Sequence, residues 1–213
     1  MFQAKAPVPL AARIGWAACV VAMLLGGGCW GRGPSRVLPP PIDPSSAGSQ
    51  ALAKYDANGD AKIAGAELDK APALKAALAQ IDATGDGAIT ADEISARVKS
   101  WQDSRVGRMG TQIRVLRNGK PLADATVTLV PEEFLGSGLE RAVGRTDEMG
   151  AAFVSVPTTG PDDVTGVPPG FYRVEITKGS EIPAKYNTAT TLGQEIAQDA
   201  AKIQEGFEYD LQY

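Results

Sequence analysis

Two twelve-residue segments carry the chain's clearest chemistry. The first reads Asp56-Ala-Asn58-Gly-Asp60-Ala61-Lys62-Ile63-Ala-Gly-Ala-Glu67, and the second Asp82-Ala-Thr84-Gly-Asp86-Gly87-Ala88-Ile89-Thr90-Ala-Asp92-Glu93. In each, side-chain oxygens fall at positions one, three, five and twelve. That spacing suits a hard cation such as calcium, which takes oxygen ligands only, with a backbone carbonyl at position seven and a bidentate glutamate at twelve. The first candidate ligand set is Asp56, Asn58, Asp60, the Lys62 carbonyl and Glu67. The second is Asp82, Thr84, Asp86, the Ala88 carbonyl and Glu93, with Thr90 placed to hold a bridging water. Each segment departs once from the D-x-[DN]-x-[DN]-G-x5-E pattern. Ala61 stands at the glycine position and must take a positive φ at a cost of roughly 1 kcal/mol. Thr84 offers a neutral oxygen in place of a carboxylate or amide. Both departures lower the expected affinity, toward the range of about 10⁻⁴ to 10⁻³ M typical of extracellular sites. The alternative, a pair of Asp/Gly-rich turns with no metal, has to explain two tandem copies that both end in Glu and both carry Ile at position eight.

The elements around these segments are helical. Leu52 and Tyr55 precede the first and Leu68 follows it. Pro72 suits the first turn of a helix bearing Leu74, Leu78 and Ile81. Thr90 and Glu93 form a T-x-x-E capping box, after which Ile94, Val98 and Trp101 recur at helical spacing as a core stripe. Together the loops and helices resemble an EF-hand pair, in which Ile63 and Ile89 would join the loops by a short β contact. Asp56 and Asp82 are 26 positions apart, tighter than is usual for such a pair.

Beyond about residue 108 the period shortens to two. Thr111 to Arg117, Ala125 to Val130, Ala151 to Val156, Phe171 to Thr177 and Phe207 to Tyr213 read as strands. In the last, Phe207, Tyr209, Leu211 and Tyr213 alternate with polar residues. Asn118-Gly119 is a hairpin signal, and Thr146 to Gly150 and Pro168-Pro-Gly170 punctuate the rest. The run Val115-x-x-Asn-Gly-Lys-Pro121-Leu-x-x-Ala125-x-Val127-x-Leu129, then Thr146-Asp147-x-x-Gly150, then Pro169-Gly170-x-Tyr172-x-Val174, resembles the carboxypeptidase regulatory-like, transthyretin-like β-sandwich. The resemblance covers roughly residues 110 to 213 and implies an antiparallel, Ig-like sandwich; because its strands and turns form a complete alternating set, that part is expected to fold alone. Ile182 to Asn187 and Asp162-Asp163 read as ordinary solvated loops.

At the other end, Lys5 and Arg13 precede an apolar run from Ile14 to Leu25, and Gly26-Gly-Gly28 leads into Cys29. This is the layout of a secretory signal, and the run is shorter than the roughly 20 residues a membrane-spanning helix needs. Small residues directly before a cysteine resemble the lipobox of bacterial lipoproteins, which implies lipidation at Cys29. Here Gly26 stands where that family prefers Leu, and cleavage by an ordinary signal peptidase is the alternative. The Pro/Gly/Ser-rich stretch after it, to about Ser49, reads as a tether.

A formal charge of −4, with Lys and Arg scattered, offers no footprint for nucleic acid. The absence of histidine removes Ser-His, Cys-His and His-ligated zinc chemistry. Both cysteines fall in the first 29 residues. The expected architecture is therefore α+β in two domains: a signal peptide over 1–28, a lipid-anchored linker over 29–49, a small helical EF-hand pair over 50–108 and an antiparallel β-sandwich over 109–213. The expected protein is exported and binds calcium. It sits at the cell envelope, lipid-anchored at the periplasmic or outer surface, as a non-enzymatic binding or scaffold module for an envelope protein or polysaccharide. The alternative is a structural or adhesion subunit with vestigial loops.

Overall fold

The computed structural model describes residues 37–160 and 163–213. The signal-like segment, Cys29 and the first part of the tether lie outside the described residues, as does Asp162. The described residues form one compact unit of α+β type.

The chain folds earlier than its composition suggests. Residues 44–49, expected as tether, are the first half of helix α1 (Pro44–Tyr55). Asp43 caps it, its Oδ1 accepting from the N–H groups of Ser45 and Ser46 at 2.9 and 3.0 Å, and Pro44 occupies the first helical position. The small residues that suggested a flexible chain serve close packing. Ala47, Gly48 and Ala51 are buried against helix α4 (Ala91–Ser104), and a β-carbon at Gly48 would stand 2.3 Å from the Ala91 carbonyl oxygen. Ile42, upstream, is also buried.

Between α1 and α4 lie a two-residue strand β1 (Ile63–Ala64), a 3-10 turn (Gly65–Lys70), helices α2 (Pro72–Ala76) and α3 (Leu78–Ile81), and a second short strand β2 (Ala88–Ile89). Pro72 does open a helix, but the run to Ile81 breaks at Ala77. Thr90 and Glu93 form the expected capping box, and Ile94, Val98 and Trp101 are all buried.

Eight further strands make two sheets. In one, β3 (Thr111–Arg117) is flanked on one side by β10 (Phe207–Leu211) and on the other by β4 (Lys120–Pro121) and β7 (Ala151–Val154). The other runs β6 (Ala142–Arg145), β5 (Thr126–Pro131), β8 (Gly170–Thr177), β9 (Gly193–Ile196). Asn118 and Gly119, with φ of 50° and 75°, make the turn between β3 and β4. Five strands fall where alternation puts them, while β4, β6 and β9 are additions. One pairing corrects the antiparallel expectation: β10 runs parallel to β3, with Phe207 opposite Ile113 and Leu211 opposite Arg117. A hairpin would force the antiparallel sense, but β10 is reached from β9 in the other sheet, so its direction is free.

Val127, Leu129, Val174 and Ile176 from one sheet and Ile113, Val115, Val154 and Leu211 from the other are buried in one hydrophobic core, in keeping with a sandwich. The helical segment belongs to that same core. Phe171 of β8 points away from Tyr172 and Val174 and packs edge-on against Trp101 of α4, ring centroids 4.6 Å apart. Gly193 of β9 lies so close to α2 that a β-carbon would meet the Pro72 backbone at 2.1 Å. The helices therefore form a layer on the face of the β5–β8–β9 sheet that alternation alone leaves to water. The boundary expected at 108/109 is a change of secondary structure that packing crosses.

Candidate metal centre

Each twelve-residue segment is a loop between helical elements, and the two are joined side by side by the antiparallel pairing of Ile63 with Ile89 and of Ala64 with Ala88. Both isoleucines are fully buried, so the position-eight side chains anchor the loops to the core. The loops close on themselves through their own carboxylates. In the first, Asp56 accepts from the N–H groups of Gly59 (2.7 Å) and Ala61 (2.9 Å), while Asn58 Oδ1 accepts from Asp60 N–H and Asp60 Oδ1 from Lys62 N–H. Ala61 has the positive φ expected of it, 64°. The glutamate at position twelve returns to the loop's start, Glu67 Oε1 accepting from Ala57 and Asn58 N–H and Oε2 from Ala64 N–H.

The second loop repeats this design. Asp82 accepts from Gly85 and Gly87 N–H at 2.6 and 2.8 Å, and Glu93 from Ala83 and Thr90 N–H at 3.1 and 2.9 Å. Thr84 Oγ1 donates to Asp82 at 3.1 Å. The Gly87 N–H, with those of Gly85 and Asp86 and the Thr84 hydroxyl, holds the Asp82 carboxyl below the usual carboxylate range. The loops differ in one ion pair: Lys62 Nζ, from the first, reaches Asp86 Oδ2 of the second at 2.7 Å. That ammonium lowers the Asp86 pKa, and Asp86 in turn raises that of Lys62.

The side-chain donors are all oxygen, the set a hard divalent cation takes. A carboxylate has about four lone-pair positions, so Asp56 and Asp82 keep capacity beside their N–H partners. Glu67 and Glu93 each accept three hydrogen bonds and would have to turn to bind an ion bidentately. Glu93 has room to do so, beside a cleft of about 200 Å³ that it lines with Ala83 and Arg97. Among the described residues no three acidic side chains stand close enough to form a ready-made metal cluster. The residues fit calcium by type and order, in a loop that would close further around the ion.

Sequence reasoning missed the polar contacts, several of them buried, that tie the elements beside each loop to the β region. Tyr55, adjacent to Asp56, donates from its hydroxyl to Glu132 Oε2 at 2.7 Å, and Lys54 bonds Glu133 at 2.9 Å. Burial, and then the Glu132 charge, push the Tyr55 hydroxyl pKa up, and burial likewise raises that of Glu132. Arg97, one turn beyond Glu93, bonds Glu195 at 2.6 Å through Nε and Asp199 at 2.8 Å through both terminal nitrogens. Trp101 adds a 2.9 Å hydrogen bond from its indole N–H to the same Glu195 oxygen. Burial opposes the Arg97 charge, but the Asp199 and Glu195 carboxylates outweigh it and keep the guanidinium protonated. The available signal was Arg97 itself, a charged residue beside the apolar stripe of α4.

Of the two segments expected to be loops, Ile182 to Asn187 is partly a 3-10 turn with Ile182 and Tyr186 buried, and Asp162 lies outside the described residues. In Ile182 to Asn187, Tyr186 is buried, its hydroxyl accepting from Gln212 N–H, and Asn187 Nδ2 donates to the Ile182 carbonyl. Asp163 closes its own turn by accepting from Thr159 and Gly160 N–H. No helix among the described residues is long and apolar enough to cross a membrane. Comparison with protein-family models, with curated proteins and with solved structures returns no match.

Proposed function

We propose that the chain is a calcium-binding lipoprotein of the cell envelope, exported and anchored through Cys29, that acts as a non-enzymatic binding or scaffold module. The observation that carries the reading is the pairing of Ile63 with Ile89, which sets two loops of the same design back to back, Asp first and Glu last, as an EF-hand pair would be. Asp56, Asn58, Asp60, the Lys62 carbonyl and Glu67 would hold one ion. Asp82, Thr84, Asp86, the Ala88 carbonyl and Glu93 would hold the other. The ion's part would be structural charge neutralisation, drawing together the three carboxylates that each loop carries at ligand positions. The two sheets would be the transthyretin-like sandwich that presents the surface for an envelope protein or polysaccharide.

A second reading, an adhesion or structural subunit with vestigial loops, is favoured by one observation: the carboxylates at positions one and twelve are already engaged by backbone N–H groups. Calorimetry separates the two. Calcium should give a binding heat below about 1 mM, with magnesium much weaker because it holds its own waters. Absence of calcium heat up to about 10 mM, well beyond the weak extracellular range, selects the second reading. For the anchor, labelled palmitate should enter the wild type and not Cys29→Ser.

A further inference from the structure

We infer that Lys62 is a built-in cation of the second loop, so that the two calcium sites are unequal and the first loop is the tighter. This rests on the calcium reading above and concerns how the sites divide the work. The β1–β2 pairing brings the first loop's position-seven residue next to the second loop. Its carbonyl would serve one ion while its side chain crosses to the other loop, where Nζ lies 2.7 Å from Asp86 Oδ2. The other oxygen of that carboxylate, Oδ1, accepts from Ala88 N–H at 3.0 Å; in the first loop the Asp60 oxygens accept from Lys62 N–H and the neutral Asn58 amide, so the cation is what sets Asp86 apart.

The first loop has no such guest. Asp56, Asp60 and Glu67 make no ion pair with a lysine or arginine among the described residues. Its third position is Asn58, an amide oxygen suited to calcium, against the hydroxyl of Thr84 in the second. An ion entering the second loop has to part Lys62 from Asp86 and then sit near the displaced ammonium. A unit charge about 6 Å from a divalent ion, screened as in water, weakens binding about tenfold. The pair is partly exposed, with 44% and 40% of the two side chains accessible, so the lysine can swing out and the second site is weakened without being closed. Calcium would therefore fill the first loop over a range in which Lys62 still holds the second loop in shape.

Titration calorimetry on the full chain in detergent, with calcium chloride as the probe, tests this. The wild type should show one tight equivalent and a second about tenfold weaker. Lys62→Met keeps the position-seven carbonyl and removes the charge. It should tighten the second step about tenfold, bringing the isotherm close to two equal sites. Asp82→Asn added to Lys62→Met should remove the gained equivalent, assigning it to the second loop. Lys62→Arg, which keeps the charge, should behave as the wild type. An isotherm unchanged by Lys62→Met, or a tight step lost with Asp82→Asn and not with Asp56→Asn, overturns the inference while leaving calcium binding intact. No heat with either the wild type or Lys62→Met overturns the calcium reading and this inference with it. Far-UV circular dichroism of each variant guards against misfolding, and the exposure of Lys62 makes Met tolerable there.

Discussion

The helical segment and the sheets obey different rules, and the contact between them obeys neither. Over residues 44–104 the helices are short, and two pieces, α2 and α3, span only five and four residues. Helices of that length do not stand alone in water. What holds them is burial: Ala73 and Leu74 of α2 are fully inaccessible and Ile81 of α3 nearly so. In the β region, by contrast, strands of up to eight residues carry their own pattern of inward apolar side chains. Left to itself that pattern describes a sandwich with one wet face per sheet. The wet face of the β5–β8–β9 sheet is occupied instead, Phe171 lying against Trp101 and Glu195 against Arg97 of α4. The lesson is that the helical segment is weak by itself and the sheets look self-sufficient, yet each covers surface the other cannot leave bare.

The largest test of that comparison is Trp101→Ala. Trp101 is 3% exposed, packs on Phe171 and donates to Glu195. Removing a buried indole should cost about 3–5 kcal/mol. Because its cavity lies between the two regions, hydrogen exchange should accelerate in α4 and in β8 together. Acceleration confined to the helices would show that the regions unfold separately.

Much of each region was legible in the sequence, for physical reasons that also explain the omissions. The strand from Thr111 to Arg117 was placed to the residue, because Thr111, Ile113 and Val115 face inward and Gln112 and Arg114 do not. The two loops were legible as turns because Asp, Asn and Gly at fixed spacing close on their own backbone locally. Strand β9 was not, since Gly193-Gln-Glu195-Ile196 has no alternation to read: Glu195 is buried by a partner 98 positions away. The start of α1 was missed because Ala47 and Gly48 are chosen for closeness to α4, and smallness alone cannot be told from flexibility. Tertiary partners, invisible to a local reading, decided both.

The next effect is a backbone clash at the other contact between the regions. Gly193→Ala puts a β-carbon about where the Pro72 carbonyl carbon already stands, at 2.1 Å. Backbone on both sides cannot yield as a flexible side chain would, so α2 must lift off β9. A loss of about 1–3 kcal/mol is expected, read as a lower urea midpoint with faster exchange in α2. An unchanged midpoint would mean that α2 contributes nothing to the sheet.

A smaller effect comes from protons. Burial raises the Glu132 carboxyl pKa above its ordinary value of 4.5, and the Tyr55 hydrogen bond and Lys54 offset this only in part. The folded chain then binds that proton more tightly than the unfolded chain does. Stability from this group is fullest below the unfolded value and is lost as pH rises through the raised folded one. The lowered carboxylates Asp82, Asp86 and Asp199, with ordinary values of 3.8, act below that range and in the opposite sense. Thermal midpoints of wild type and Glu132→Gln, taken upward from pH 4.5, should therefore diverge: the wild type declines more steeply. Parallel curves would remove Glu132 as a proton-linked contact between α1 and the β region.

The smallest expected change is a gain, and it asks whether a local improvement in the weak region is felt in the strong one. Ala61 holds φ at 64° in the tightest part of the first loop, with its N–H donating to Asp56 Oδ2 at 2.9 Å. A residue with a β-carbon pays roughly 1 kcal/mol for that conformation, and glycine does not. Part of the gain returns to the unfolded chain, which glycine makes more flexible, so the net stabilisation from Ala61→Gly should be under about 1 kcal/mol. The second loop already carries Gly87 at the equivalent position, with φ of 78°, and serves as the internal reference. If the helical segment and the sheets unfold as one body, the variant should raise the thermal midpoint of both by the same small amount. The β-sheet amide I infrared band would follow the sheets, and Trp101 emission the helix α4, in a chain whose other two tryptophans are replaced by phenylalanine. A rise in the Trp101 transition alone would mean that the shared core does not couple them, and the helical segment would then be a separate folding unit resting on the sheet.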